Sequence, residues 1–348
     1  MKKYIITIAV AVFFTSCVKD ELDPVPSPSK TPQNLKELSY PFGAAVNDRL
    51  IREIPSYKSI LIKEFSSVTS EASMKIMALL PVQRSYDFTR ADNVIAFAKE
   101  NGIRVHGHTL IWHNSLPDWL TSYQGNATAW ENLFKEYITT VVTHFKGKVA
   151  SWDVVNEAID DDGSLRNSLW LQKLGPDYIA RAFQYAHQAD PAALLFYNDY
   201  GQEKNGVKRN AIFALITSLK AKGVPIHGVG LQMHINYLQD NDGIAQAIKS
   251  AASTGLKVHI SELDVSLNFQ SSATATYNQD LGAQQKAKYK FVVQAYQQVP
   301  ANQRFGITTW GVDDQHTYLL RYQPDWPLLF DPNFQPKPAY YGVLEGAQ

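Results

Sequence analysis

From residue 42 onwards, short apolar runs alternate with amphipathic stretches. Eight runs have the length and the β-branched or aromatic composition of buried parallel strands: residues 42–46, 67–70, 104–110, 150–155, 194–198, 228–233, 257–261 and 305–310. Apolar residues at helical spacing lie between them, for example over residues 90–100, 130–145, 210–220 and 289–297. The alternation predicts an α/β fold, a single closed (β/α)8 TIM barrel rather than an open doubly wound sheet.

Two glutamates end two of these apolar runs. Glu157 follows the fourth predicted strand and Glu262 the seventh. Barrels of this type carry their chemistry at the carboxyl ends of the strands, and two carboxyl groups are what glycosidic bond cleavage requires. Asn156 precedes Glu157 and offers an amide to a sugar hydroxyl, and His234, at the end of the sixth predicted strand, is placed to orient Glu262. The alternative for either carboxylate alone is a structural ion pair.

The first 17 residues predict an export signal. Lys2 and Lys3 precede an apolar stretch over residues 4–14, which is too short to cross a bilayer. Cys17 follows, so the segment resembles a bacterial lipoprotein signal in which Cys17 becomes lipidated after cleavage. An ordinary secretory signal with a chance cysteine is the alternative. Cys17 is the only cysteine, which excludes an internal disulfide.

A spacer is predicted between this signal and the barrel. Residues 18–32 contain Pro24, Pro26 and Pro28 with serines between them, a composition typical of an extended tether. No second linker follows, so one catalytic domain is expected over residues 33–348. The resulting hypothesis is an exported bacterial lipoprotein of the cell envelope, held at the outer membrane or cell surface only through its lipid anchor.

Charge and motifs disfavour other classes of protein. The chain has 33 basic and 33 acidic residues, whereas nucleic-acid binding usually leaves a basic footprint. His106 and His108 share one strand face, but no cysteine or H-E-x-x-H motif accompanies them as a further metal ligand. No G-x-S-x-G elbow supports a serine triad. Asp313 and Asp314 are interpreted as loop caps or supporting acceptors. No metal or cofactor is therefore expected.

Six motifs occur in an order that resembles glycoside hydrolase family 10, the endo-β-1,4-xylanases. They are HGHTLIWH at residues 106–113, WDVVNEA at 152–158, YNDY at 197–200, GVGLQMH at 228–234, HISELDV at 259–265 and TWGVD at 309–313. The resemblance covers roughly residues 40 to 345. It implies a (β/α)8 barrel that hydrolyses internal linkages of xylan with retention of configuration.

The resemblance also implies residue roles. Glu157 would be the acid/base and Glu262 the nucleophile, with Asn156 and His234 supporting the nucleophile and the sugar at the cleavage point. Other matched positions imply sugar contacts on the glycone side (Lys75, His108, Trp112, Gln232 and the stacking Trp310) and on the aglycone side (Tyr200).

Three positions depart from the family pattern. Ala72 stands where an asparagine is usual and Ile76 where a tryptophan is usual, and Tyr318 occupies the place of a second tryptophan. A methyl group makes no hydrogen bond to a sugar hydroxyl, and losing one such bond costs on the order of 0.5–1.5 kcal/mol. Catalysis is therefore expected to be kept, with an altered preference on the glycone side.

Three functional hypotheses remain open at this point. The first is a monomeric retaining endo-1,4-β-xylanase acting on xylan or xylo-oligosaccharides. The second is a related β-glycosidase whose altered glycone side suits another sugar or a decorated xylan. The third, from a different class, is a non-catalytic glycan-binding lipoprotein built on a barrel.

Overall fold

The strands of the computed structural model form a ring. The model describes Met1 and residues 32–348, so residues 2–31, which include Cys17 and nearly all of the predicted signal and tether, lie outside the described residues. The strands are β1 (Phe42–Val46), β2 (Ser67–Ser70), β3 (Arg104–Ile111), β4 (Ser151–Asn156), β5 (Leu194–Asp199), β6 (Gly228–Leu231), β7 (His234–Asn236), β8 (Lys257–Ser266) and β9 (Arg304–Thr309).

Parallel pairing closes this ring into a barrel. Strands β1 to β6 pair in chain order, β6 pairs with β8, β8 with β9, and β9 returns to β1. The short β7 pairs only with the far end of β8. The predicted (β/α)8 barrel is confirmed, and each of the eight predicted runs supplies one of its strands.

Two strand ends differ from the prediction by more than one residue, and both lie beside the candidate site. The sixth strand ends at Leu231 rather than residue 233, because Met233 adopts a positive φ of 63° that breaks the extended backbone. His234 therefore begins β7 instead of ending β6. The seventh barrel strand continues to Ser266, since residues 264–266 pair with β7 beyond the point where pairing with β6 and β9 ends.

Helices surround the barrel: α1 (Asp48–Glu53), α2 (Pro55–Glu64), α3 (Ile76–Leu79), α4 (Thr89–Glu100), α5 (Asp118–Thr121), α6 (Ala127–His144), α7 (Leu169–Leu174), α8 (Tyr178–Ala189), α9 (Gly206–Ala221), α10 (Asn241–Ser253), α11 (Gln279–Gln297) and α12 (Pro338–Gly346). No helix within residues 32–348 is both long and apolar enough to cross a membrane. Asn126, Asn205 and Asn278 cap α6, α9 and α11, accepting bonds from backbone N–H groups of the first turn.

The interior of the barrel combines apolar side chains with a buried group made of Asp153, His106 and His108. Asp153 lies on β4 with His106 Nε2 at 3.0 Å and His108 Nδ1 at 2.9 Å. Phe196 and Phe305 cover this group from below, with ring centroids 4.5 Å apart. Burial alone would raise the pKa of Asp153, but the two histidines lower it well below its usual range. Asp153 and its two histidines therefore form a buried polar layer beneath the cleft.

Candidate active site

The two glutamates reach the mouth of the barrel in different ways. Glu262 lies within β8 and is 4% exposed, with its backbone N–H donating to the Gln232 carbonyl at 3.1 Å. Glu157 directly follows β4 and has a positive φ of 56°. A left-handed conformation is uncommon outside glycine and costs on the order of 1–3 kcal/mol. Such strain is concentrated at functional sites, and here it ends the strand at the residue that faces the cleft.

A cleft of about 420 Å³ lies between the carboxyl ends of the strands. Its walls include Glu157, Glu262 and every binding residue predicted from the sequence: Lys75, His108, Trp112, Asn156, Tyr200, Gln232, His234, Trp310 and Tyr318. Glu71, Ser115, Gly201, Lys204 and Arg321 also line it, and the sequence analysis assigned none of these a role. The fold therefore brings all the predicted site residues in the described part of the chain to one place.

Three neutral donors hold the Glu157 carboxylate. Trp112 Nε1 donates to Oε2 at 2.8 Å, and Gln232 Nε2 and Asn156 Nδ2 donate to Oε1 at 2.9 and 3.2 Å. The resemblance implied a sugar contact for Gln232, and in the structure its amide contacts Glu157. These bonds fix the carboxylate at the cleft wall, where His113 Nδ1 also lies 3.8 Å from Oε2. Burial lowers the pKa of His113, which favours its neutral form.

Two histidines lie beside the Glu262 carboxylate. His234 Nε2 lies 3.3 Å from Oε2, and His108 Nδ1 lies 4.0 Å from Oε1. Burial raises the pKa of Glu262, but the charges of His108, His234 and Lys75 and the bond from His234 lower it below its ordinary value. Glu262 is therefore ionised at neutral pH, as an attacking carboxylate must be.

His234 is held by a second carboxylate. Its Nδ1 lies 2.8 Å from Asp264 Oδ2, two residues beyond Glu262 on β8. Burial opposes protonation of His234, yet Asp264 and Glu262 together raise its pKa well above the ordinary value. The register of β7 against β8 pairs His234 with Asp264, so this local pairing places the imidazolium.

Asn198 links the two glutamates indirectly, because it contacts Glu262 and also Asn156, which contacts Glu157. The sequence analysis did not single it out. Its Nδ2 donates to Glu262 Oε1 at 2.7 Å and to Asn156 Oδ1 at 2.9 Å. A side chain on Gly230 would lie 2.1 Å from Asn198 Oδ1, so only glycine leaves room for this amide. Its position near the carboxyl end of a predicted strand, two residues before Tyr200, was the available signal.

Aromatic rings form the glycone wall. Lys75 Nζ lies 4.7 Å from the Trp112 ring centre and 5.7 Å from that of Trp310. The Tyr318 ring packs edge-on against His234 at 5.7 Å. Ile76 is buried and points away from this wall, since it does not line the cleft. Rings with adjacent polar groups suit a sugar, whose faces are apolar and whose edges are hydroxyls.

Tyr200 lies on the opposite side of the cleft and is held by two cations. Arg166 Nη2 donates to its hydroxyl at 2.9 Å, and Lys208 Nζ lies 3.1 Å from the centre of its ring. Lys208 is itself buried and paired with Asp199 at 3.2 Å. Tyr200 is thus fixed in orientation before any ligand arrives.

Asp313 and Asp314, the other two acidic residues considered from the sequence, have structural partners. Asp313 caps a short 3-10 helix through the Gln315 N–H and contacts His316 Nδ1 at 2.8 Å. Asp314 accepts from the Leu328 N–H and pairs with Lys337 at 2.8 Å. Within residues 32–348, no three His, Cys, Asp or Glu side chains are grouped to hold a metal ion. Neither aspartate lines the cleft.

A (β/α)8 barrel with two differently supported carboxyl groups facing one sugar-sized cleft defines the class of glycoside hydrolases. The model of glycosyl hydrolase family 10 matches residues 32–346. The chain belongs to this family.

Known relatives agree with this assignment. The chain is 39% identical over 320 residues to "Exoglucanase XynX" of Acetivibrio thermocellus, covering 88% of this chain and 28% of that protein. It is 37% identical to "Endo-1,4-beta-xylanase B" of Paenibacillus barcinonensis, covering 88% and 95%. Xylanase 10B from Thermotoga petrophila, solved in complex with xylobiose, superposes with a TM-score of 0.85 at 35% identity, covering 91% and 98%. The chain spans 27% and 51% of the length of two further relatives.

Proposed function

We propose that the protein is a retaining endo-1,4-β-xylanase. In the first step, ionised Glu262 attacks the anomeric carbon and forms a glycosyl ester. Glu157 donates its proton to the departing glycosidic oxygen. The observation that carries the proposal is the asymmetry of the two sites: cationic groups lower the pKa of Glu262, whereas Glu157 has only neutral hydrogen-bond donors.

In the second step, Glu157 acts as a base. It takes a proton from a water molecule, and the resulting oxygen nucleophile attacks the anomeric carbon and releases Glu262. Two inversions at one carbon give net retention. Asn198 and His234 hold Glu262 in place through both steps, because each contacts one of its carboxylate oxygens.

Xylan is the proposed substrate. Relatives that the chain covers over most of their length carry the name endo-1,4-beta-xylanase, and one structural neighbour was solved with xylobiose. The relative named exoglucanase supports a second candidate, a β-glucan-cleaving enzyme with the same two-carboxylate chemistry. Of the three positions that depart from the family pattern, only Tyr318 lines the cleft, so Tyr318 is the position at which the glycone preference is expected to differ.

Reducing-sugar release from xylan, mixed-linkage β-glucan and an aryl xylobioside separates these candidates. The proposal expects turnover of xylan and of the xylobioside, with β-glucan much poorer. Activity on β-glucan alone would favour the second candidate. Binding to these polymers with no product from any of them would leave a non-catalytic glycan-binding protein.

We further propose that residues 1–17 direct export and that Cys17 is lipidated, with residues 18–32 as a tether to the cell envelope. The charged start, the short apolar stretch and the position of the single cysteine support this proposal. Radiolabelled palmitate should enter the protein in a bacterial host, and Cys17→Ala should abolish labelling. Retained labelling of Cys17→Ala would contradict the proposed lipidation.

The domain over residues 33–348 is proposed to be a monomer, which sedimentation of this domain tests.

A further inference from the structure

Arg321 is an exposed cation of the cleft that has no hydrogen-bond or ion-pair partner among the described residues. It is the last residue of the short 3-10 helix Tyr318–Arg321 and lines the cleft together with Glu71 and Lys75. Its side chain is exposed, and within residues 32–348 no group forms a hydrogen bond or close ion pair with its guanidinium. Glu71 is near enough to feel the charge of Arg321 but does not contact it.

A second such cation lines the aglycone side. Lys204 lies four residues beyond Tyr200, is exposed, and has no ion pair or side-chain hydrogen bond to any described residue. The neighbouring Lys208 differs, because it is buried and paired with Asp199 and Asp161. Lys75 also lacks an ion pair among the described residues, but its ammonium packs against the Trp112 and Trp310 rings. Arg321 and Lys204 are therefore the two exposed cleft cations without a partner in the described part of the chain.

These charges are not needed for an unsubstituted β-1,4-xylan backbone, which is neutral and offers only hydroxyl and ring oxygens. A guanidinium is a planar fork of N–H donors whose geometry matches a carboxylate, and its charge makes those bonds stronger than neutral ones. An exposed ammonium attracts the same ligand less specifically. The chemistry of both side chains therefore favours a substrate that carries carboxylate groups along its length.

We propose that Arg321 is a specificity-determining residue that binds the carboxylate of a uronic acid branch on the glycone part of the substrate. Lys204 attracts a similar branch on the aglycone part. The inference rests on the proposed xylan-cleaving function and narrows its substrate to acidic, uronate-decorated chains.

The test uses one polymer in two forms. Glucuronate-decorated xylan is compared with the same xylan after its carboxyl groups have been reduced to primary alcohols, which removes the charge and keeps the branch. For the wild-type domain, kcat/KM on the acidic form should exceed that on the reduced form by about three- to tenfold. The ratio should fall as salt is added, because the contact is exposed.

Arg321→Gln should remove most of this preference and Lys204→Gln should lower it less, whereas the double variant should bring the ratio close to one. Lys249→Gln is the matched control, because it removes one exposed positive charge from α10, outside the cleft, and should leave the ratio unchanged. A wild-type ratio of one, or an Arg321→Gln ratio equal to that of Lys249→Gln, would overturn the inference. If neither the wild type nor any variant cleaves the acidic or the reduced xylan, the result would instead count against the proposed function.

Discussion

At the scale of single residues, the site depends on how each glutamate is held. Glu262 is ionised because His234, His108 and Lys75 offset the cost of its burial. Of these, only His234 is within hydrogen-bonding distance of the carboxylate. The charge on His234 depends in turn on Asp264. The reactivity of one carboxylate is thus set by a short chain of paired charges.

Replacement of His234 should move the acid limb of the pH profile of kcat/KM. The lowered pKa of Glu262 keeps the nucleophile ionised to lower pH in the wild type. His234→Gln removes a positive charge, so the pKa of Glu262 should rise and the acid limb should shift to higher pH. His144→Gln is the control, since His144 pairs with Asp92 outside the cleft. An unchanged acid limb in His234→Gln would contradict this role.

Asn198 is expected to act as a positioning residue. Asn198→Ala removes the donors to Glu262 and Asn156, so kcat on an activated aryl xylobioside should fall about ten- to a hundredfold. Circular dichroism and thermal unfolding report whether the fold survives. A variant that keeps the wild-type kcat with its fold intact would show that Glu262 needs no such support.

At the scale of elements, strand cores were more predictable than element ends. Each strand of the barrel followed from its apolar run, because burial on both faces demands such a run. The helices began earlier than their apolar periodicity, since polar first turns are held by caps such as Asn126 and Asn278. The end of β6 could not be predicted, because the positive φ of Met233 leaves no apolar or polar signature.

The residues of the candidate site were also only partly predictable from the sequence. Glu157 and Glu262 were predicted because a carboxylate after an apolar run has few structural explanations. Asn198 was missed because its role depends on a partner 64 residues away in the chain and on the space left by Gly230. Such contacts arise only when strands are set side by side in register.

The C-terminal helix offers a test of close packing between elements. A side chain on Gly342 of α12 would lie 2.4 Å from the Lys286 carbonyl on α11. Gly342→Ala should therefore separate the two helices and lower the free energy of unfolding by about 1–3 kcal/mol. Gly206→Ala at the start of α9 is the control, because its new methyl group would meet only the end of Arg209 at 3.5 Å. Chemical unfolding measures both, and equal stabilities would contradict the close contact.

At the scale of the whole molecule, the two ends of the described domain meet. Strand β1 pairs with β9, which closes the barrel. Glu64 on α2 accepts bonds from the Leu35 N–H at 3.3 Å and from the Tyr340 hydroxyl at 2.8 Å. The first and last segments are thereby fastened to one buried carboxylate. The cleft at the other end of the strands depends on this closure, since Glu262 on β8 and Trp310, directly after β9, form part of its wall.

The buried pairing of Asp153 with His106 and His108 should make the stability of the barrel depend on pH. The pKa of Asp153 is lowered in the folded state, whereas an unfolded aspartate titrates near about 3.9. Its contribution is therefore present above about pH 4 and is lost as pH falls below that value. In urea unfolding at pH 5, 4 and 3, the wild type should lose stability more steeply than Asp153→Asn. Parallel losses would contradict the prediction.

The division of roles between the two glutamates is the central claim. A 2-deoxy-2-fluoro xylobioside with an activated leaving group tests it, because the fluorine slows both steps and the good leaving group restores only the first. Digestion and mass spectrometry should then find one glycosyl ester, on Glu262. A label on Glu157 would contradict the assignment, and turnover with inverted product and no covalent adduct would contradict the mechanism.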